Sequence, residues 1–272
     1  MNGDLPATIY PESSQRRPRK TVFFHLLKTG GMTFRGVLAS IYGDAFHVCD
    51  NPSIESVTAS LDAFEAIEFH ALPWNGDFAL MHGELVRERR WDLLEGADVF
   101  TMFREPVDQV ISLYFHTVRK RAYVEAAYAA NNISFPASLE EFIECPWHLN
   151  NQLAFLTGNY RLATRRALSH EDVIAAKSIL LRLRAHVGLM ERYSDSLHIF
   201  ETVTGRQIHG RRIGTRNRNT SRPVLEDIPA HVKARIRERS ALDVELYEFA
   251  CELFAKDLAA CGPAPEYIFI EA

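Results

Sequence analysis

The sequence predicts an α/β protein built on a parallel sheet with helices on both faces. Three observations carry that prediction. Apolar, β-rich runs at Thr21–His25, Phe78–His82 and Val99–Phe103 have strand length and are separated by helical patterns. The first and last of them pass through polar turns directly into helices, as strands of a parallel sheet do. Beyond residue 138 the pattern becomes helix-rich.

Taken in order, Thr21–His25 (TVFFH) suits a strand buried on both faces. Phe34, Val37, Leu38 and Ile41 then give Thr33–Tyr42 helical spacing. Ala45–Cys49 reads as a short strand, Ser53–Ile67 as a weak amphipathic helix and Phe78–His82 as another strand. After the strand Val99–Phe103, Pro106 suits the first turn of a helix running through Ile111, Leu113, Tyr114 and Val118. Ser138–Glu144, Asn150–Thr157, His170–Arg184 and Ser194–Val203 read as helices, with His186–Leu189 as the last strand. Gly205–Pro223 is an arginine-rich loop, and Ile228–Ala260 reads as two helices or one broken near Ser240.

The 272 residues suffice for one sizeable domain. Residues 1–20, with RRPRK, read as a flexible basic lead-in, and 21–272 as a single domain whose helical elaboration lies mainly at 138–184 and 228–260. A hydrophobic content of 47% and a charged content of 24% are those of a soluble globular protein. A net charge of −4 argues against nucleic acid as a partner. Cys49, Cys145, Cys251 and Cys261 show no CxxC spacing and read as reduced thiols of a cytoplasmic protein, a Cys251–Cys261 bridge being the alternative. Neither a signal-peptide pattern nor a membrane-spanning stretch of ~20 apolar residues is visible.

The chemistry lies in two segments, TVFFHLLKTGGMT (Thr21–Thr33) and VFTMFREPVDQVIS (Val99–Ser112). In the first, Gly30 and Gly31 let backbone approach an anion at a helix N-terminus. Lys28 adds a full charge, and Thr29 and Thr33 add hydroxyls. The second segment offers Arg104 at the strand end and Ser112 eight residues on. Two such turns suit a nucleotide with phosphates at both ends, and so a nucleotide-dependent transferase. The lysine precedes the glycines, unlike GxxxxGK[ST], and the loop is short for a triphosphate.

TVFFHLLKTGGMTF resembles the 5′-phosphosulfate loop of sulfotransferases that use 3′-phosphoadenosine 5′-phosphosulfate (PAPS), in the branch of heparan sulfate 2-O- and 6-O-sulfotransferases and their bacterial relatives. VFTMFREPVDQVISLYFH is similar to that family's 3′-phosphate motif, and HVGLMERYSDSLHIF (His186–Phe200) to a segment after its last core strand. The resemblance covers most of Lys20–Pro223. It implies a P-loop-like fold, PAPS as co-substrate with PAP as product, no required metal, and a carbohydrate or small hydroxylated acceptor. It assigns Lys28, Thr29, Gly30, Gly31, Met32 and Thr33 to the 5′-phosphate and sulfuryl group, and Arg104 and Ser112 to the 3′-phosphate. Met32 stands where the family usually has Ser or Thr, so one hydroxyl donor is missing.

Sulfuryl transfer to a hydroxyl also needs a base, and open α/β sheets place their sites at the carboxyl ends of strands. FALMHGE at Phe78–Glu84 supplies His82, matching the first histidine of the family's HGH, and Glu84, replacing the second. His25 matches a structural position, and His70, His116, His148 and His170 lack metal-ligand spacing. On the acceptor side, the Gly205–Pro223 arginines, Asn217, Asn219, the Asn150–Gln152 cluster, Trp74 and Trp147 are candidate contacts. The expectation is a cytoplasmic, bacterial sulfotransferase; its rivals are a silent PAP-binding protein and an ATP-dependent small-molecule kinase. A homodimer stays open.

Overall fold

The structure, a computed structural model, describes residues 19–49, 53–70, 85, 89–159, 166–215, 223 and 225–271. Its centre is strand β1 (Thr21–His25), every residue of which is buried. Alternation along β1 sends Val22 and Phe24 into one apolar cluster and Phe23 into another on the opposite face. A strand apolar on both sides belongs in the middle of a sheet covered by helices, and that is where it lies. β2 (Phe46–Cys49), β3 (Ala66–His70), β4 (Asp98–Phe103) and β5 (His186–Leu189) join it in the order β2-β3-β1-β4-β5, all parallel.

Helix α1 (Gly31–Tyr42) packs Phe34, Val37 and Leu38 on the Phe23 face. α2 (Ile54–Ala63) packs Val57 and Leu61 on the other. The helix after β4, α3 (Pro106–Arg119), leaves the sheet. Its Val107, Val110 and Ile111 form a separate cluster with α5 (Leu139–Glu144) and α9 (Ala230–Arg239); α4 (Arg121–Ala130) lies between α3 and α5 in the chain. α6 (Asn151–Leu156), α7 (His170–Arg182) and α10 (Ala241–Ala259) cover the Val22 face, and α8 (Tyr193–Thr204) the Phe23 face. The α/β class, the parallel sheet and the helix-rich C-terminal part are as expected.

The differences are local. The Ser53–Ile67 helix stops at Ala63, and Ala66–His70 is a strand. Local spacing there favours a helix, but pairing with β1 on one side and β2 on the other makes the strand. The Gly205–Pro223 loop contains β6 (Arg212–Thr215), paired parallel with β7 (Ile268–Glu271). Neither strand, nor α4, was expected. The expected strand Phe78–His82 lies outside the described residues. All four cysteines are free thiols. Among the described residues no helix is long and apolar enough to cross a membrane.

β1 and β4 are neighbours, yet the chain leaves them toward opposite edges of the sheet, to β2 and β5. That is a topological switch point, where open α/β sheets form a crevice at their carboxyl ends. The helical layer beside it is fastened by a reciprocal cap. Buried Asp243 accepts from the Gln152 and Leu153 amides (3.2 and 2.8 Å), while Asn150 Oδ1 accepts from the Asp243 amide (2.9 Å). Asp243→Ala strands two buried donors at the start of α6. It should lower the unfolding free energy by about 3 kcal/mol, read as a shifted denaturation midpoint; an unchanged midpoint would mean the cap contributes nothing.

Candidate functional site

The two motif turns meet at this switch point. Between β1 and α1 the chain must reverse within a few residues, and it does so through left-handed backbone at Lys28 (φ 65°) and Gly30 (φ 87°). A Cβ at Gly30 would also stand 2.3 Å from Met190 Sδ, so the methionine side chain would have to shift. Left-handed geometry at a lysine costs about 1–2 kcal/mol, so the structure around the turn holds the backbone there. Thr29 Oγ1 donates to the Leu26 carbonyl (2.9 Å) and is fully buried. Its hydroxyl therefore fastens the turn, whereas a phosphate-facing hydroxyl was expected. Gly31 and Met32 begin α1, so their amides lack intrahelical acceptors and point with the helix dipole toward the crevice. Thr33 donates its amide to Gly30 O (3.1 Å), and Tyr193 O–H reaches the same carbonyl (3.4 Å) from α8.

Arg104 follows β4, next to that turn. Its Nη1 donates to the Lys28 carbonyl (3.1 Å), and Nε and Nη2 meet Asp108 Oδ2 (2.6 and 2.5 Å). The two turns are thus bonded to each other. The Gln152 side-chain amide pins the Arg104 backbone in both directions, accepting from its N–H and donating to its C=O, each at 2.9 Å. Gln109 on α3 donates to Leu27 O (3.0 Å), a second tie between the turns. Glu105 caps α3 by accepting from the Asp108 amide (2.9 Å). A guanidinium has five N–H groups in a planar fork, so Arg104 keeps donors for a ligand while Asp108 fixes its plane. Ser112 is half-buried one turn beyond Asp108, on the same helix face.

Beneath the glycine turn lies a buried ionic group. Glu68, on β3, is fully buried and accepts from His25 Nδ1 (2.5 Å) and from Arg35 Nε and Nη2 (both 2.8 Å). Burial works against its ionisation, but the hydrogen bonds from His25 and Arg35 outweigh burial and hold its carboxyl below the ordinary value. The far edge of the His25 ring lies against Gly31, where a Cβ would meet Cδ2 at 2.1 Å and Nε2 at 2.3 Å. Gly31 and Arg35 are one helical turn apart. The same face of α1 therefore rests on His25 and Glu68.

Of the residues anticipated for the site, Lys28, Thr29, Gly30, Gly31, Met32 and Thr33 form one turn, with Arg104 bonded to it and Ser112 in the second turn of α3. His82, Glu84, Trp74, Asn217 and Asn219 lie outside the described residues. Arg206 pairs with Glu65 (2.8 Å) and Arg211 with the Ser40 carbonyl (2.9 Å), each away from the crevice. Asn150 and Gln152 serve architecture: one caps α10, the other holds Arg104. Glu68 and Asp108 carried no signal that composition or spacing could isolate, because the partners of Glu68 lie on other elements and the part of Asp108 depends on the pose of Arg104. Among the described residues no group of three His, Cys, Asp or Glu side chains is placed to hold a metal.

Heparan-sulfate 6-O-sulfotransferase 3-B of Danio rerio is 27% identical over 179 residues, covering 57% of this chain and 42% of its own length. The chain resembles the heparan-sulfate 6-O-sulfotransferases. Heparan-sulfate 6-O-sulfotransferase 2 of Gallus gallus, 26% identical over 178 residues, gives the same coverage of this chain and 43% of its own. The chain therefore spans less than half the length of these two relatives. No family model matches it. Among solved structures, a sulfotransferase from Alicyclobacillus acidocaldarius aligns with 90% of this chain and 99% of its own, at a TM-score of 0.47 and 16% identity.

The buried triad has a pH signature. The folded Glu68 pKa lies below 4.5, so its contribution is full above that value and is lost as pH falls through the lower folded value. Glu68→Gln removes the charge at constant shape. At neutral pH it should destabilise by about 3 kcal/mol, and the gap to wild type should close progressively below pH 4.5. A gap independent of pH in denaturant titrations would show the carboxylate charge to be irrelevant.

Proposed function

We propose that the chain transfers a sulfuryl group from PAPS to a hydroxyl of a carbohydrate or small hydroxylated acceptor. The observation that supports this most is the bond between the two anion-binding turns, Arg104 Nη1 to the Lys28 carbonyl at 3.1 Å. It sets a cationic side chain and two helix-start amides beside a guanidinium and a serine, a pairing suited to one nucleotide phosphorylated at two positions. The likeness to sulfotransferases supports the same donor. The residues fit it: the Gly31 and Met32 amides at the start of α1 lack intrahelical acceptors and can donate to a phosphate.

PAPS, when bound, supplies a sulfuryl group on a phosphate leaving group; the acceptor oxygen gains the sulfur, the sulfur–oxygen bond to the 5′-phosphate breaks, and PAP departs. The Gly31 and Met32 amides and Thr33 would hold the 5′-phosphate, with Lys28 neutralising the charge that develops on it. One donor so placed contributes ~2.7–4 kcal/mol to lowering the barrier. Arg104 and Ser112 would hold the 3′-phosphate, Asp108 and Gln152 keeping Arg104 in place. His82 takes the acceptor proton, with Glu84 as the alternative base. A metal is not needed for this division of labour. Free thiols at all four cysteines suit a reducing compartment and support a cytoplasmic location.

The test is PAP release from PAPS over a panel of glycans and hydroxylated metabolites, with wild type, Lys28→Gly and His82→Ala. Wild type should release PAP with at least one acceptor. Lys28→Gly relieves the left-handed backbone yet removes the charge, so it should fold well and turn over ~10²–10³-fold more slowly. His82→Ala should lose ~10²–10⁴-fold in turnover with PAP affinity intact; full activity in that variant assigns the base to Glu84. Tight PAP binding without release over the whole panel would make the chain a silent binder, and ATP binding without any response to PAP would favour the kinase.

A further inference from the structure

α3 carries Asp108, Ser112 and His116 at successive four-residue intervals, so the three form a row along one face. Arg104 stands at the head of that row, bonded to Asp108 (2.6 Å). At its far end His116 is half-buried and feels the positive charge of Lys28 from the glycine turn and of Arg119 and Lys120 at the end of α3. Lys28 is therefore linked to both ends of the row: its carbonyl accepts from Arg104, and its charge acts on His116.

The contact with Arg119 fixes the proton on the ring. Arg119 Nη2 lies 3.3 Å from His116 Nδ1, and a guanidinium only donates, so Nδ1 is the lone-pair nitrogen. In the neutral ring the proton then sits on Nε2, which makes that nitrogen a donor. The ring stays neutral because burial first, and then the three cations, push its pKa down to about 3. Like charges gathered around a neutral donor raise the local potential, and a multiply charged anion relieves it. Histidine in this setting is a poor proton acceptor and a good phosphate ligand.

We propose that His116 belongs to the second phosphate site, donating from Nε2 to the phosphate held by Arg104 and Ser112, with Arg119 and Lys28 supplying charge around it. The proposal rests on the reading of the chain as a binder of a nucleotide with 3′- and 5′-phosphates. It adds a third ligand to that site and makes Lys28 common to both phosphates. Discrimination in favour of a 3′-phosphorylated nucleotide then depends on His116, a residue with no role in proton transfer.

Calorimetric titration of wild type, His116→Ala and His116→Gln with PAP and with AMP, which lacks the 3′-phosphate, tests it. A hydrogen bond to a charged group of this kind sets the scale. His116→Ala should weaken PAP about tenfold or more and leave AMP within about twofold of wild type. His116→Gln, which keeps a donor at similar reach, should recover part of the PAP affinity. Unchanged PAP affinity in His116→Ala, or equal losses for PAP and AMP, would overturn the proposal, the second outcome assigning the residue to architecture. Absence of PAP binding by wild type would overturn it together with the nucleotide reading, and so is distinguishable from a failure confined to His116.

Discussion

The buried carboxylate of Glu68 is the constraint on which the site depends. It sits in β3 between two aromatic-rich layers, where an unpaired charge would be strongly unfavourable. Its two partners come from the elements on either side of the glycine turn, His25 from the end of β1 and Arg35 from the second turn of α1. Satisfying one carboxylate thereby sets the angle between a strand and a helix. A well-packed apolar trio would often be as stable or more so, so stability alone does not account for the charges. What they add is direction: a guanidinium fork and an imidazole hold α1 in one rotation, with Gly31 against the ring.

The second turn is built by a different device. Arg104 is held through its backbone by Gln152 and through its side chain by Asp108, and it spends one donor on the carbonyl of Lys28. This last bond couples the turns and supports the left-handed backbone at Lys28. The switch-point topology puts β1 and β4 side by side; these hydrogen bonds convert neighbouring strand ends into a fixed pair of turns. From the other side Met190 and Tyr193 close on Gly30, so the segment after β5 completes the enclosure.

Strongly local features were legible in the sequence. β1, β5, α1, α3 and the break between α9 and α10 follow from apolar runs, from Pro106 and from the amphipathic spacing. β3 was not, because SLDAFEAIEF keeps a helical period through Ala63 and its last residues become a strand only when β1 and β2 pair with them. Its Glu68 even argues against a buried strand until His25 and Arg35 are seen around it. β6 and β7 escaped for a related reason: each is four residues long, and their pairing spans more than fifty residues of chain. In the site, KTGG and Arg104 announced themselves by residue type. The bond from Thr29 to the Leu26 carbonyl was not legible, since a hydroxyl beside a glycine turn suits a ligand and a carbonyl equally well. Asn150 and Gln152 were legible as a polar cluster but not as scaffolding, because their partners Asp243 and Arg104 are remote in sequence.

The central claim is that two turns, locked together, grip the two phosphates of one nucleotide. A crystal structure with PAP bound tests it most directly. The account predicts the 5′-phosphate on the Gly31 and Met32 amides beside Lys28 and the 3′-phosphate against Arg104 and Ser112, with the Arg104–Lys28 bond retained. Density for PAP elsewhere, or with only one phosphate engaged by these turns, would contradict it.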